Sequence, residues 1–196
     1  MNTLLASVNE LMPVWNVSRA AGITSYLLLF ASVITGMSAH YSFMKASTRA
    51  RINLIHQSAG WFGILLGMIH GLVLVFSTYE SFSIWNVLIP FTSSTHPLLI
   101  GIGVLALDTF ILLIVTSDYM KALGRKTWKA IHFLAFPAFA AAFLHGILLG
   151  PDTHQPLMLT IYIVTAATAV LALAFRIAIR EPRPIPAKPI EQSTRS

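Results

Sequence analysis

The chain has 196 residues, 56% hydrophobic and only 10% charged, with a formal net charge of +6 and no cysteine. Ordinary soluble domains carry about 25% charge, so that class is excluded. The missing cysteines exclude disulfides, iron–sulfur clusters, thiolate catalysis and covalent C-x-x-C-H haem attachment.

Residues 1–16, which begin MNTLLASVNELM, have no basic n-region, so no cleavable signal peptide is expected. Arg19 then stands at the entrance of a first apolar run, 21–44. A basic connection with Lys45, Arg49 and Arg51 leads into a second run, 52–77, which opens INLIHQSAGWFGILLGMIHG and holds His56 and His70. The connection 78–96 is long and apolar, and it is expected to fold back over the end of the bundle or the membrane surface, with Tyr79 and Trp85 as interface anchors. A third run, 97–117, carries Asp108 near its middle. After Lys121, Arg125, Lys126 and Lys129 comes the fourth, 130–150, with His132, Pro137 and His145, and then the fifth, 156–175. The Pro-rich tail, 181–196, is too polar to pack and is expected to be a disordered cytoplasmic tail.

Each run matches the ~20 residues that span roughly 30 Å of hydrocarbon. The fold predicted is an all-α integral membrane bundle of five transmembrane helices, with its domain at 17–180. Basic residues cluster in alternate connections, while 78–96 and 151–155 contain no Lys or Arg. The positive-inside rule then puts the N-terminus outside and the C-terminus in the cytoplasm. No G-x-G-x-x-G or Walker motif is present, and no soluble stretch is long enough for a nucleotide domain.

Two of the helices carry histidine pairs. His56 and His70 are fourteen apart, His132 and His145 thirteen. At ~1.5 Å per residue these spacings cover about 20 Å, most of the hydrocarbon thickness. Both helices follow basic connections and run inside to outside, so His56 matches His132 at the inner depth and His70 matches His145 at the outer. Two facing neutral imidazoles at each depth are what an iron porphyrin with two axial ligands requires. The fold expected is therefore a bundle enclosing two stacked haems. Gly60, Gly63, Gly67, Gly71 and Gly146 serve either clearance for the macrocycle or helix packing. The thirteen-residue spacing leaves His132 and His145 about 140° apart on an ideal helix, and Pro137 is the residue able to change that phase.

These histidine spacings, the stretch SDYMKALGRKTWKAIHFLAF and the opening SRAAGITSYLLLF resemble the ferric reductase-like transmembrane domain. That superfamily includes NADPH oxidases, ferric reductases and the haem subunit of a methionine sulfoxide reductase system. The resemblance spans about residues 17–180. It implies two b-type haems, the inner held by His56 and His132 and the outer by His70 and His145. Electrons would pass from inner to outer haem and then to an external acceptor: a ferric chelate, dioxygen or a partner protein. The flavin and nicotinamide domain of the oxidases is absent here. The chain is thus expected to bind no flavin and to be an oxidoreductase membrane component, with a separate cytoplasmic flavoprotein reductase or quinol as donor. Lipid is a partner and nucleic acid is not; the expected location is the plasma (bacterial inner) membrane.

Two other readings compete. One is a quinol-linked cytochrome b subunit of a membrane dehydrogenase, with Asp108 near the quinone. The other is a histidine-based metal-ion transporter, which would gather its ligands around one midplane site. Arg19, basic on an otherwise uncharged side, is a candidate partner for an outer-haem propionate. Arg51 and Lys129 fit topology and lipid headgroups better. Asp108 is a candidate hydrogen-bond acceptor for a ligand imidazole, a proton relay or quinol contact, or equally a neutral, hydrogen-bonded structural carboxyl. Phe136, Phe139 and Phe143 lie between the two depths. His40, His96 and His154 match no partner in depth and are read as non-ligands.

Overall fold

A chain inside hydrocarbon must satisfy every backbone N–H and C=O internally, which a helix does. The computed structural model describes residues 13–38, 44–78 and 82–178, and its described backbone is helical over most of each apolar run. Among the described residues, five stretches are long and apolar enough to cross a membrane: α1 (Val14–Ser38), α2 (Ala46–Leu74), α4 (Pro97–Asp118), a broken span over Arg125–Leu149, and α8 (Pro156–Ala178). The broken span consists of α6 (Arg125–His132) and α7 (Ala135–Leu149). Short helices α3 (Ile84–Leu88) and α5 (Met120–Leu123) lie in the connections, and no strand occurs among the described residues. The protein is a multi-pass helical membrane protein.

Helix starts follow local chemistry. Pro97 and Pro156 open α4 and α8, where a missing N–H costs no helical hydrogen bond. Ser83 and Asn86 form a reciprocal capping box at α3. Gly124, at φ 78°, makes the left-handed turn between α5 and α6.

Burial departs from that of a soluble bundle, with hydroxyl-bearing residues inside beside an apolar core and many leucines outside. Ser18, Ser25 and Ser32 are 2%, 5% and 7% exposed, whereas Leu157 and Leu171 are 72% and 69% exposed. Lipid solvates leucine well, so small and hydroxyl-bearing residues take the helix contacts. The α1–α2 pair makes the most extensive of these contacts, followed by α4 with α7.

Two departures from the sequence reading affect the site. First, α1 begins at Val14 rather than 21. Asn16 and Arg19 depress the local hydropathy, but Arg19 is neutralised by an ion pair with Asp152 and the helix runs through it. Second, the fourth span breaks at Phe133–Leu134, one turn before Pro137. Proline has no N–H for the carbonyl four residues back, and its ring clashes there. The Phe133 carbonyl instead takes the N–H of Phe136, at 3.3 Å, and Leu134 N–H bonds Ile131 O at 2.9 Å. The tail at 181–196, His40 and Tyr79 lie outside the described residues.

Candidate functional site

The four intramembrane histidines meet in two pairs. His56 faces His132 with ring centroids 6.1 Å apart and planes at 76°. His70 faces His145 at 6.1 Å and 77°. The turn broken ahead of Pro137 accounts for this likeness, since an unbroken helix would point the second pair to different sides. Among the described residues no group of three or more His, Cys, Asp or Glu exists; the histidines stand as two separate pairs.

On the α2 side both rings are held alike. The Nδ1–H of His56 donates to the Ser32 carbonyl at 2.8 Å, and the Ser32 hydroxyl donates to the His56 carbonyl at 3.0 Å. His70 and Ser18 repeat the exchange at 2.8 Å and 3.0 Å. Each hydroxyl oxygen is also 3.0 Å from the ring Nδ1 and accepts part of its N–H bond. A carbonyl can only accept, so the proton sits on Nδ1 and the lone pair on Nε2. A glycine lies one helical turn beyond each serine. A Cβ on Gly36 would stand 2.9 Å from His56 Cε1, and one on Gly22 would stand 2.8 Å from His70 Nδ1.

On the opposite side, His145 comes from α7 and His132 from α6, beside α4. His145 donates Nδ1–H to the Leu99 carbonyl at 2.8 Å, and a Cβ on Gly103 would come within 2.5 Å of its Nδ1. His132 stacks on Trp128, with centroids 4.9 Å apart and planes at 28°. Trp128 is itself pinned by its Nε1–H to the Ser117 hydroxyl, at 3.1 Å.

A cavity of about 470 Å³ opens at the His70–His145 level, bordered by both rings together with Arg19, Gly22, Gly103 and Asp152. That volume falls within the range of cofactor pockets. Phe82, Asn86 and Val87 also border it, so the connection holding α3 folds back over this end, as expected. Trp85 is exposed there. Arg19 lies inside α1, not at its entrance, and donates two N–H groups to Asp152, one at 2.8 Å. Between the levels, Phe139 stacks on Tyr26 at 5.6 Å, while Phe143 meets Tyr162 edge-on at 5.8 Å. Phe136 contacts Phe133 instead.

The structure decides between readings that the sequence left open for several residues. The places beside Gly60, Gly63 and Gly67 are filled by Ser32, Leu29 and Ser25 of α1, and Val87 fills the one beside Gly71. These glycines serve helix packing, although Gly67, Gly71 and Gly146 also border the cavity. Asp108 does not receive the Nδ1–H of His56, His70 or His145, whose partners are backbone carbonyls. His96, exposed at the start of α4, borders the cavity without a facing imidazole. Sequence reasoning passed over Ser18, Ser32, Gly22, Gly36, Gly103 and Asp152. The first four carried a signal, because S-x-x-x-G occurs twice in α1 at the fourteen-residue spacing of His56 and His70.

The fold and site together define a class: a five-span helical membrane protein with two superposed pairs of facing histidines. The family model described as ferric reductase like transmembrane component matches residues 21–143. This is more than half of the chain, and the chain belongs to that family. His56, His70 and His132 fall within the match, while His145 lies just past its end. Neither a curated protein nor a solved structure matches the chain. Membrane domains of this family generally bind haem, and membership points to transmembrane electron transfer.

Proposed function

We propose that this chain is a di-haem b-type cytochrome that carries electrons across the plasma (bacterial inner) membrane. His56 and His132 would hold one haem, and His70 and His145 the other. The observation that carries the reading is the equality of the two pairs, 6.1 Å at each level with nearly perpendicular planes. Two imidazoles gripping one transition-metal ion at about 2 Å stand with centroids roughly 6 Å apart. His56, His70 and His145 keep the proton on Nδ1, so each offers the Nε2 lone pair that ligation needs. When bound, haem supplies a one-electron site at each level.

The protein's own part is positioning and insulation. His56 with His132, and His70 with His145, would each hold a haem, and the haems would supply outer-sphere electron transfer to the acceptor. Lys45, Arg49, Arg51, Lys121, Arg125 and Lys129 put the His56–His132 level on the cytoplasmic side, with both termini oriented as the charge rule gives them. The donor there is a separate flavoprotein or quinol; the acceptor, outside, is a ferric chelate, dioxygen or a partner protein. Arg19 has five N–H donors and gives two to Asp152; the remainder suit a propionate at the mouth of the outer cavity. A metal-ion transporter would need one midplane cluster, an arrangement these two separate levels do not provide.

A pyridine haemochrome assay with protein quantification tests the reading. The expected result is two b haems per chain, falling to one when His56 or His70 is replaced by alanine. A purified, folded chain without a Soret band would overturn it.

A further inference from the structure

We propose that the two Ser-x-x-x-Gly segments of α1, Ser18–Gly22 and Ser32–Gly36, are imidazole seats that set the electron-donating strength of His70 and His56. This inference rests on the di-haem reading. Each seat does two separate things. Its glycine removes the only side chain that would occupy the ring's place, since a Cβ would lie 2.8–2.9 Å from ring atoms. Its serine fixes the ring through a reciprocal pair of bonds, ring N–H to serine carbonyl at 2.8 Å and serine hydroxyl to histidine carbonyl at 3.0 Å. Because the hydroxyl hydrogen is committed to that carbonyl, the oxygen's lone pairs face Nδ1 at 3.0 Å. The ring N–H is thus shared by two acceptors. Two acceptors pull more strongly on the proton than one and make Nε2 a better donor to iron, which favours the ferric state.

The middle of the same helix pair supplies an internal control. Ser25 also bonds a carbonyl across the interface, that of Gly63, at 2.7 Å. Here α1 carries Leu29 where the seats carry glycine, and α2 carries Gly63 where the seats face histidine; Leu29 Cδ2 would be 3.0 Å from a Cβ on Gly63. The hydroxyl-to-carbonyl bond is the same, but no ring is present. Ser25 therefore shows what the serine contributes to packing alone.

The experiment is potentiometric titration of the purified holoprotein by optical and EPR spectra, with Ser18→Ala, Ser32→Ala and Ser25→Ala compared. Each is also measured with the other level emptied by H56A or H70A. Ser32→Ala should raise the ferrous-to-ferric ratio at fixed ambient potential about threefold or more for the His56 haem only, and Ser18→Ala for the His70 haem only. Ser18→Thr and Ser32→Thr, which keep the hydroxyl, should restore the wild-type ratio. Loss of one haem in Ser32→Ala, with retention in Ser32→Thr and Ser25→Ala, also supports the seat. Two haems in the wild type with both ratios unmoved by Ser18→Ala and Ser32→Ala would overturn this inference alone, as would an equal shift from Ser25→Ala. A wild type that binds no haem would overturn the functional reading and this inference with it.

Discussion

The two walls of the site reach the same ring spacing by different means. The α1–α2 wall is a straight antiparallel pair, and its two seats are copies: serine, glycine and histidine recur in one register at both levels. The α4–α7 wall has no such repetition. There one histidine leans on a glycine and a loop-proximal carbonyl, while the other stacks on an indole and follows directly before a broken turn. Equal ring geometry therefore does not require equal surroundings. The first wall makes the two levels alike, and the second is where they can be told apart.

Mutations at the second wall give the largest contrast. Gly103→Leu would push carbon into the space His145 occupies, a place where even a Cβ comes within 2.5 Å of Nδ1. Overpacking of this kind costs about 1–3 kcal/mol or more. On the di-haem reading, the outcome expected is loss of the haem at the His70–His145 level alone, read as a halved pyridine haemochrome yield. A full complement would mean that the wall yields freely.

Pro137→Ala should act at the other level. Alanine restores the N–H that Phe133 O lacks, and a continuous helix sets His132 and His145 about 140° apart. Haem at the His56–His132 level should drop by about half or more even though helix propensity improves. Unchanged haem, together with an unchanged distance between spin labels on α6 and α7, would show that packing and not proline holds the break.

The ion pair that joins the walls is a smaller matter. Arg19 and Asp152 are 36% and 22% exposed at the side chain, so solvent screening discounts the pair to about 1 kcal/mol or less. Asp152→Ala should lower Tm by about 2–4 °C and the deficit should shrink in high salt. A much larger drop, independent of salt, would mark the pair as a structural anchor.

The smallest effect belongs to Trp128→Phe, which keeps a ring against His132 and removes the bond to Ser117. Low-temperature α-band spectra should shift slightly for the haem at the His56–His132 level and not for the one at the His70–His145 level. Movement of both bands would mean that the levels communicate through this wall.

Much of this architecture was legible because hydrocarbon is a severe solvent. Runs of about 20 apolar residues have few fates, and four histidines in such runs stand out against the lipid. The connection 78–96 betrayed itself by being too apolar for water. Serine and glycine, by contrast, are common in membrane helices, so Ser18, Ser32, Gly22 and Gly36 looked like generic packing residues until α2 was laid against them. The helical phase of His132 was not legible, since it depends on how one turn absorbs a proline. Arg19 misled the placement of α1, because its partner Asp152 is remote in sequence.

One consequence concerns how the first two helices find each other. Ser18, Ser25 and Ser32 meet His70, Gly63 and His56 in steps of seven, so a slip by one turn would forfeit all three bonds together. A slip by a full heptad would recover some hydroxyl bonds but drive Leu29 into an imidazole. The helix pair thus favours a single register: bulk alternates with absence along both helices, and a misaligned pair loses its bonds or presses leucine against an imidazole.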